Sequence, residues 1–363
     1  MILRSALSFP RKRESGIGDT PDSTCSIIAP MSLSQEIKRK AIELGFDFAG
    51  VTDASPISAR QAQIFSQWLD SGFAGQMAYM HRNLDKRRAP AKLLANARSV
   101  IVVGHNYKLP QREPGPTHAG GPAGRVARYA QYEDYHPFMK ERLSRLADFI
   151  ASFAGSNCRF KICVDSAPLA ERALAVRAGL GFIGKNHMLI NPQLGCEIFL
   201  GGIVTDLELR ADEAVEGGGS LAVARDACAA CTRCIDACPT GALRPDGQFD
   251  AARCINYLTI EHKGPIAPEL ARKIGDRLFG CDECVLACPY HDAAPVCTNR
   301  EFRFYPDRAE FNLQEVLDLT PESFEAQFAD SPIKRSGLDG LKRNAAICLA
   351  NTDEFQSVQT SDY

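Results

Sequence analysis

The sequence lacks several features that would fix its partners at once. No apolar run in its 363 residues approaches the length of a membrane span, so no transmembrane helix is expected. The formal net charge is only -2, so the chain as a whole is not a polycation, and any binding to nucleic acid must come from local basic patches. No secretory signal is recognisable, which argues against disulfides and for a reducing compartment, the cytoplasm.

Cysteine, by contrast, is abundant. Eight of the fourteen cysteines lie between Cys228 and Cys288, in the run Cys-x2-Cys-x2-Cys-x3-Cys-Pro followed, after Cys254, by Cys-x2-Cys-x3-Cys-Pro. This spacing is typical of bacterial two-cluster ferredoxins, in which the fourth cysteine of a motif ligates the other cluster. We therefore expect two [4Fe-4S] clusters. Their predicted ligands are Cys228, Cys231, Cys234 and Cys288 for the first cluster, and Cys238, Cys254, Cys281 and Cys284 for the second.

Zinc accounts for this run less well than iron–sulfur clusters do. Structural zinc also uses sets of four cysteines, but it does not need a proline after each fourth cysteine. The remaining six cysteines are scattered, and each is expected to be a small buried hydrophobic residue. The insertion from Ile255 to Gly280 separates the first ligand of the second motif from the others, and we expect it to leave the cluster module and to build part of a substrate surface.

The chain before the cysteines predicts a larger domain of mixed helix and strand. Helical and strand-like segments alternate over residues 35–207, which favours an α/β or α+β fold. The predicted strands are Ser99–Gly104, Arg159–Val164 and Ile198–Val204. Residues 1–30 lack periodicity and are expected to be a disordered extension, while a glycine-rich linker at Glu216–Ser220 marks the domain boundary. A single helix is predicted at Lys342–Asn351.

One glycine motif is not interpreted as a nucleotide site. Gly179-Leu-Gly-Phe-Ile-Gly184 matches G-x-G-x-x-G, but a dinucleotide fingerprint must follow a strand and open a helix. Here the glycines follow a predicted helix, so Gly179 is expected to end that helix.

The segment Val164–Pro168 is more informative about chemistry. A predicted strand ends at Val164 and a helix is expected near Pro168, with Ser166 as its N-cap. Asp165 would then lie at the carboxyl end of a strand, where open α/β sheets bind ligands. The alternative is that Asp165 only caps the helix. Burial beside a cofactor would raise the pKa of this carboxyl and a helix N-terminus would lower it, and a proton donor at neutral pH needs the first effect to dominate.

Several motifs together resemble a known family. They are Gly124–His136, Val164–Pro168, Arg177–Asn186, Cys228–Ala242, Arg253–Ile260 and Gly280–Cys284. In this order and number, over residues 33–350, they are similar to the epoxyqueuosine reductases, which complete the synthesis of queuosine in bacterial tRNA.

The resemblance implies an α+β fold in four parts. These are a disordered extension at 1–30, a nitroreductase-like cobalamin-binding domain at 31–220, a two-[4Fe-4S] ferredoxin-like module at 221–298, and a short helical HEAT-like C-terminal tail at 299–363. In the family, electrons pass from an external donor through the clusters to cobalamin, and epoxyqueuosine at the wobble position of tRNA is reduced to queuosine. The resemblance further implies Asp165 as proton donor, Arg87, Asp165 and Asp282 as cobalamin contacts, and a monomer.

Two departures from the family stand out. Some members carry a cysteine near cobalamin where this chain has Ala127, so no thiol role is expected there, and the tail is short enough for one helical repeat at most. The basic residues available for tRNA form two patches, each of which is equally compatible with a solvated charged face. They are Arg82, Lys86, Arg87, Arg88, Lys92 and Arg98 in the first patch, and Lys334, Arg335, Lys342 and Arg343 in the second.

Two other functions stay open at this point. A corrinoid reductive dehalogenase would share the cobalamin domain and both clusters, although such enzymes are usually exported. The second alternative is a protein that only transfers electrons to a partner. It would leave the domain before residue 220 without a function.

Overall fold

The computed structural model describes residues 32–110, 121–154, 158–212 and 220–360. Residues 1–30, predicted as an extension, and residues 216–219 of the predicted linker lie outside this part of the chain. The strands are β1 (Phe48–Asp53), β2 (Ser99–Asn106), β3 (Ala123–Val126), β4 (Phe160–Val164), β5 (Phe182–Ile183), β6 (Leu189–Ile190), β7 (Ile198–Thr205), β8 (Arg277–Phe279) and β9 (Glu310–Asn312).

Helices connect these strands and dominate the second half of the chain. They are α1 (Leu33–Glu43), α2 (Ala59–Asp70), α3 (Ala78–Arg82), α4 (Leu84–Arg88), α5 (Tyr135–Ala154), α6 (Glu171–Arg177), α7 (Ser220–Ala230), α8 (Arg233–Asp236), α9 (Ile255–Ile260), α10 (Pro268–Ile274), α11 (Glu283–Leu286), α12 (Pro289–Ala293), α13 (Leu313–Asp318), α14 (Pro321–Phe328) and α15 (Gly337–Thr360). Short 3-10 turns lie at Pro90–Lys92, Arg128–Gln131, Ala251–Arg253, Pro306–Arg308 and Pro332–Ser336. None of the described helices is both long and apolar enough to cross a membrane.

The larger sheet has the order β1-β2-β7-β4, and all of its pairings are antiparallel. Apolar residues of α1 and α5 cover one face of this sheet, and those of α6 cover the other. Gly201 of β7 allows α5 to approach closely, because a Cβ there would lie 2.9 Å from the Leu143 side chain. The three predicted strands are thus confirmed as β2, β4 and β7, of which β2 and β7 are central and β4 lies at the edge of the sheet in an α+β layer structure.

Some local predictions were wrong. The sheet is not the parallel α/β type whose strand ends bind ligands, so that argument for Asp165 fails even though the residue does follow β4. Ser166 does not cap a helix, because α6 begins only at Glu171 with Ala170 before it. The interpretation of Gly179 is confirmed: it follows α6 with a φ of 72° and its N–H donates to Val176 O at 3.0 Å.

A smaller sheet joins distant parts of the chain. β3 pairs in parallel with β8 and antiparallel with β9. These strands come from the three predicted regions at 31–220, 221–298 and 299–363, respectively. The predicted domain boundaries remain a prediction, but backbone hydrogen bonds cross both of them.

The two cysteine motifs fold in the same way. Each forms a four-residue helix, α8 or α11, that begins one residue before its second-to-last cysteine, Cys234 or Cys284. The Cys238 N–H donates to Ile235 O at 3.1 Å, and the Cys288 N–H donates to Val285 O at 3.1 Å. Proline follows both cysteines, where its fixed φ starts a new segment. The sequence repeat is therefore also a structural repeat.

Candidate functional site

The first predicted cluster site is a cavity between four thiols. Cys228, Cys231, Cys234 and Cys288 all line this space of about 100 Å³. Burial raises the pKa of the Cys234 thiol, and the charges of the other three cysteines raise it further. Lys185 borders the cavity and donates from Nζ to Cys231 O at 2.9 Å. The structure thus brings together one cysteine of the second motif and three of the first, in the combination that the spacing predicts.

The second predicted set of four is also assembled. Burial raises the pKa of the Cys284 thiol, and the nearby Cys254, Cys281 and Cys238 raise it further. Burial likewise raises the pKa of Cys281 to about 12. Four mutually close thiols are unfavourable as free thiolates, and iron would compensate that charge.

The donor chemistry of both sets fits cubane clusters. In each set all four donors are cysteine sulfurs, as [4Fe-4S] clusters require. The first set surrounds a volume rather than a point, and a single zinc ion with Zn–S bonds of about 2.3 Å needs no such space. Among the described residues, no three His, Cys, Asp or Glu side chains lie close enough to hold one metal ion.

Asp165 lies at the centre of a hydrogen-bonded group of side chains. It directly follows β4 and adopts a φ of 43°, a left-handed conformation that is uncommon for any residue other than glycine. The Tyr135 hydroxyl donates to its Oδ2 at 2.7 Å, and His136 Nε2 lies 3.4 Å from the same oxygen. Both partners come from the first turn of α5, whose packing against the sheet fixes their positions.

The protonation of this group differs from the expected one. Burial raises the pKa of Asp165, but the hydrogen bonds from His136 and Tyr135 outweigh it, so the pKa lies below its ordinary value. For His136, burial lowers the pKa, whereas hydrogen bonds to Asp134 and Asp165 raise it to about 9. At neutral pH the carboxyl is therefore ionised, and the protons reside on His136 and on the Tyr135 hydroxyl.

Arg87 and Glu171 supply two further polar atoms near Asp165. Arg87 Nε and Glu171 Oε1 are both buried, and neither has a hydrogen-bond partner among the described residues. Burial, followed by the negative charge of Asp165, raises the pKa of Glu171 to about 8, which keeps it protonated at neutral pH. A buried donor and a buried acceptor without partners fit a ligand rich in carboxamides, such as cobalamin.

Asp282, the other predicted cobalamin contact, lines a separate cavity of about 500 Å³ together with Ala127 and Cys281. Its Oδ2 accepts from the Arg128 N–H at 2.7 Å, and burial raises its pKa to about 6. The Arg128 side chain in turn donates from Nε to the buried Glu197 at 2.6 Å, which fixes this segment.

Tyr129 links the two regions. Burial raises its pKa, and the charges of Asp282 and Asp165 raise it further, so the hydroxyl stays neutral between them. Its ring packs against Tyr135 and Phe279 with centroids 6.5 and 6.2 Å away. An aromatic wall therefore runs from the Asp165 group to the segment that carries Cys281.

The sequence interpretation did not assign roles to Tyr135, His136 or Glu171. Tyr135 and His136 lie within one of the recognised motifs, so an Asp-Tyr-His run beside a candidate acid was an available signal. Glu171 gave no such signal, because an acidic residue in the first turn of a helix is common.

Comparisons with known proteins agree on one family. Residues 227–291 match the model described as "4Fe-4S double cluster binding domain", and residues 87–166 match "Epoxyqueuosine reductase QueG, DUF1730". A protein named epoxyqueuosine reductase from Leadbetterella byssophila is 39% identical over 314 residues, which cover 86% of this chain and 97% of that protein. One from Pseudomonas aeruginosa is 37% identical, covering 89% of this chain and 86% of that protein.

Solved structures give the same result. The structure of epoxyqueuosine reductase from Streptococcus thermophilus has a TM-score of 0.78 and 32% identity, covering 89% of this chain and 82% of that one. A crystal structure of epoxyqueuosine reductase with a tRNA-Tyr epoxyqueuosine-modified stem loop has a TM-score of 0.79 and 30% identity, covering 88% and 81%. A reductive dehalogenase matches with a TM-score of only 0.41 and 18% identity, which bears on neither function nor mechanism.

Proposed function

The chain belongs to the epoxyqueuosine reductase family, and on that premise we propose that it reduces epoxyqueuosine to queuosine at the wobble position of tRNA. The observation that carries this proposal is the hydrogen-bonded group of Asp165, Tyr135 and His136, linked by an aromatic wall to the second set of four thiols. Removal of an epoxide oxygen needs both electrons and protons. The four thiols hold the carrier of the electrons, and the Asp165 group delivers the protons.

The thiols hold the electron carriers in this proposal. Two [4Fe-4S] clusters are bound by the two cysteine sets described above. Each cluster has three ligands from one cysteine motif and a fourth ligand from the other motif. Cobalamin is held by Arg87 and Glu171 near Asp165 and by Asp282 beside Cys281. When bound, the clusters and cobalamin supply the two electrons that cleave the epoxide carbon–oxygen bonds.

The protein's own part in the chemistry is to deliver protons. Converting an epoxide to an alkene releases the oxygen as water, which consumes two electrons and two protons. Asp165 is ionised at neutral pH, so it must first take a proton from the His136 imidazolium before it can donate to the leaving oxygen. Burial and the charge of Asp165 raise the pKa of Tyr135, so its hydroxyl keeps its proton and only orients the carboxyl. Asp165 therefore acts as a proton donor that is recharged by His136.

The finer assignments follow from the family. We propose a nitroreductase-like cobalamin domain built on the four-stranded sheet, a ferredoxin-like cluster module, and a HEAT-like helical tail that includes α15. We also propose a monomer that works in the cytoplasm, where a reducing environment preserves the clusters, and that takes electrons from an external donor.

An anaerobic turnover assay tests the function. Reconstituted protein, cobalamin, a strong reductant and tRNA carrying epoxyqueuosine are incubated, and the digested nucleosides are analysed by mass spectrometry. We expect loss of one oxygen that depends on added cobalamin. No conversion by protein that contains both clusters and cobalamin would refute the proposal, and an organohalide substrate would then be tested in the same assay.

A further inference from the structure

Three distant segments of the chain meet beside the Asp165 group. The loop after α2 contacts the loop after α9, because Gln76 Nε2 donates to Lys263 O at 3.1 Å and Gln76 Oε1 accepts from the Lys263 N–H at 2.8 Å. Lys263 Nζ in turn donates to Ser336 O at 3.0 Å, which attaches the turn before α15. The second of these segments belongs to the insertion that was predicted to build a substrate surface.

The side chains at this junction form an arginine–tyrosine–arginine arrangement. The guanidinium carbons of Arg87 and Arg335 each lie 6.0 Å from the centre of the Tyr79 ring, at the outer limit of cation–π contact. Arg335 also makes a two-pronged ion pair with Glu261, at 3.0 and 3.2 Å. We call Tyr79, Arg87, Glu261 and Arg335 the rim. It unites one arginine from each of the two basic patches noticed in the sequence.

The rim borders the catalytic group. Burial raises the pKa of Tyr79, and the charge of Asp165 is among the contributions that raise it further. Hydrogen bonding to Glu261 raises the pKa of Arg335, to which Asp165 also contributes. These charge effects place Tyr79 and Arg335 in the neighbourhood of Asp165.

The rim is also accessible to a ligand, and the ion pair within it is weak. The Arg335 side chain is 59% exposed, so its pair with Glu261 is a surface ion pair worth about 0–1 kcal/mol. A phosphate can replace the carboxylate, because both present two oxygens to the guanidinium fork. The loop beneath is held by Arg343, which donates to Leu258 O and His262 O at 2.7 Å and so is not itself available as a surface cation.

We propose that the rim binds the single-stranded part of the tRNA anticodon loop, with Arg335 on a backbone phosphate and Tyr79 against the face of a base. This rests on the proposed function. Proteins that hold single-stranded nucleic acid combine cationic side chains with aromatic rings, and enzymes that act on one base need its neighbours held while that base leaves the stack.

The test measures RNA affinity, separately from turnover. The affinity of the holoenzyme for a labelled anticodon stem loop is measured over a series of salt concentrations for Arg335→Ala and Lys334→Ala. Both variants lose one positive charge at adjacent positions, but Lys334 is ion-paired to Glu325 of α14 rather than to the rim. We expect Arg335→Ala to reduce the slope of log K against log salt by about 0.7–1, and Lys334→Ala to leave it unchanged.

A second pair of variants tests the ring. Tyr79→Ala is expected to weaken binding roughly 5- to 150-fold, as the loss of one stacked base would, whereas Tyr79→Phe keeps the ring and should bind like the unaltered protein. Unchanged cluster absorption shows that the variants are folded.

The outcomes separate this inference from the proposed function. If Arg335→Ala and Tyr79→Ala bind the stem loop as tightly as their controls, the rim is not an RNA site, even when the unaltered enzyme converts epoxyqueuosine. If both bind more weakly while the unaltered enzyme fails to convert the nucleoside, the rim stands as an RNA surface and the assigned reaction fails.

Discussion

Replacing Asp165 with asparagine should stop proton delivery while leaving the cofactor sites in place. Asparagine keeps the size of the side chain and can still accept a hydrogen bond from the Tyr135 hydroxyl, which in the unaltered protein donates to Asp165 Oδ2 at 2.7 Å. It cannot carry an acidic proton, and it removes the negative charge beside His136. Positioned general acids typically contribute about 10²- to 10⁴-fold in rate, and we expect a loss of this size in a single turnover.

The effect on His136 can be estimated separately. The rise of its pKa from 6.5 to about 9 corresponds to about 3 kcal/mol, at about 1.4 kcal/mol per pKa unit. Asp134 and Asp165 share this stabilisation, and the Asp165 side chain is 65% exposed, so solvent screens its share to about 1 kcal/mol. Because the folded pKa exceeds the unfolded one, the stabilisation is complete below pH 6.5 and is lost as the pH rises to about 9. Asp165→Asn should therefore lower the titration midpoint of His136.

Two measurements check this reasoning. Single-turnover rates are compared for the unaltered enzyme, Asp165→Asn, and Asp148→Asn, which changes an exposed aspartate of α5, the helix that carries Tyr135 and His136. The midpoint of His136 is followed by NMR of labelled histidine, with its signal assigned by its loss in His136→Gln. Turnover of Asp165→Asn at the rate of Asp148→Asn would remove Asp165 from the proton path. An unaltered His136 midpoint would show that the two side chains are not coupled.

Three further predictions concern the cofactors and the fold. Cys231→Ser should lose roughly half of the bound iron, whereas Cys348→Ser, at a buried cysteine outside both sets, should retain it; equal iron in both would refute the ligand assignment. Glu171→Leu should weaken cobalamin binding in absorption titrations about fivefold to tenfold, the worth of one hydrogen bond, while Glu171→Gln should not; identical affinities would exclude the contact. Gly280→Ala should destabilise the protein in thermal unfolding by about 1–3 kcal/mol, since the φ at this position is 73° and a Cβ would lie 2.5 Å from that of Ala127; an unchanged midpoint would contradict this.

The grouping of the cysteines into two sets could be predicted in detail because its determinants are local. The spacing of the cysteines and the proline after Cys238 and Cys288 fix short turns whose geometry hardly depends on the rest of the chain. The central strands were predictable for a similar reason. A continuous run of buried β-branched residues, as in Ser99–Gly104, has few alternatives to a strand inside a layered fold.

The protonation of the Asp165 group could not be predicted from the sequence. It depends on hydrogen bonds from α5 to a residue thirty positions later in the chain. The same limit applies to Glu171, whose raised pKa arises from burial rather than from any neighbour in sequence. The antiparallel order of the sheet was hidden because strand direction is set by long-range pairing, which hydrophobic periodicity does not encode.

In the sequence, the insertion between Cys254 and Cys281 looks like an interruption of a ferredoxin repeat. In the structure, it connects the second cysteine set to the Asp165 group. It ends in β8, which pairs in parallel with β3, and the Ala127 N–H donates to Phe279 O at 2.8 Å. Two residues beyond Phe279 lies Cys281, and two residues beyond Ala127 lies Tyr129, the wall of the Asp165 site. Each backbone hydrogen bond contributes about 0.5–1.5 kcal/mol, and sliding one segment past the other would break several together. The separation between the second cysteine set and the Asp165 group is thus fixed by strand pairing, so the proposed electron transfer would not require one part of the chain to dock on another.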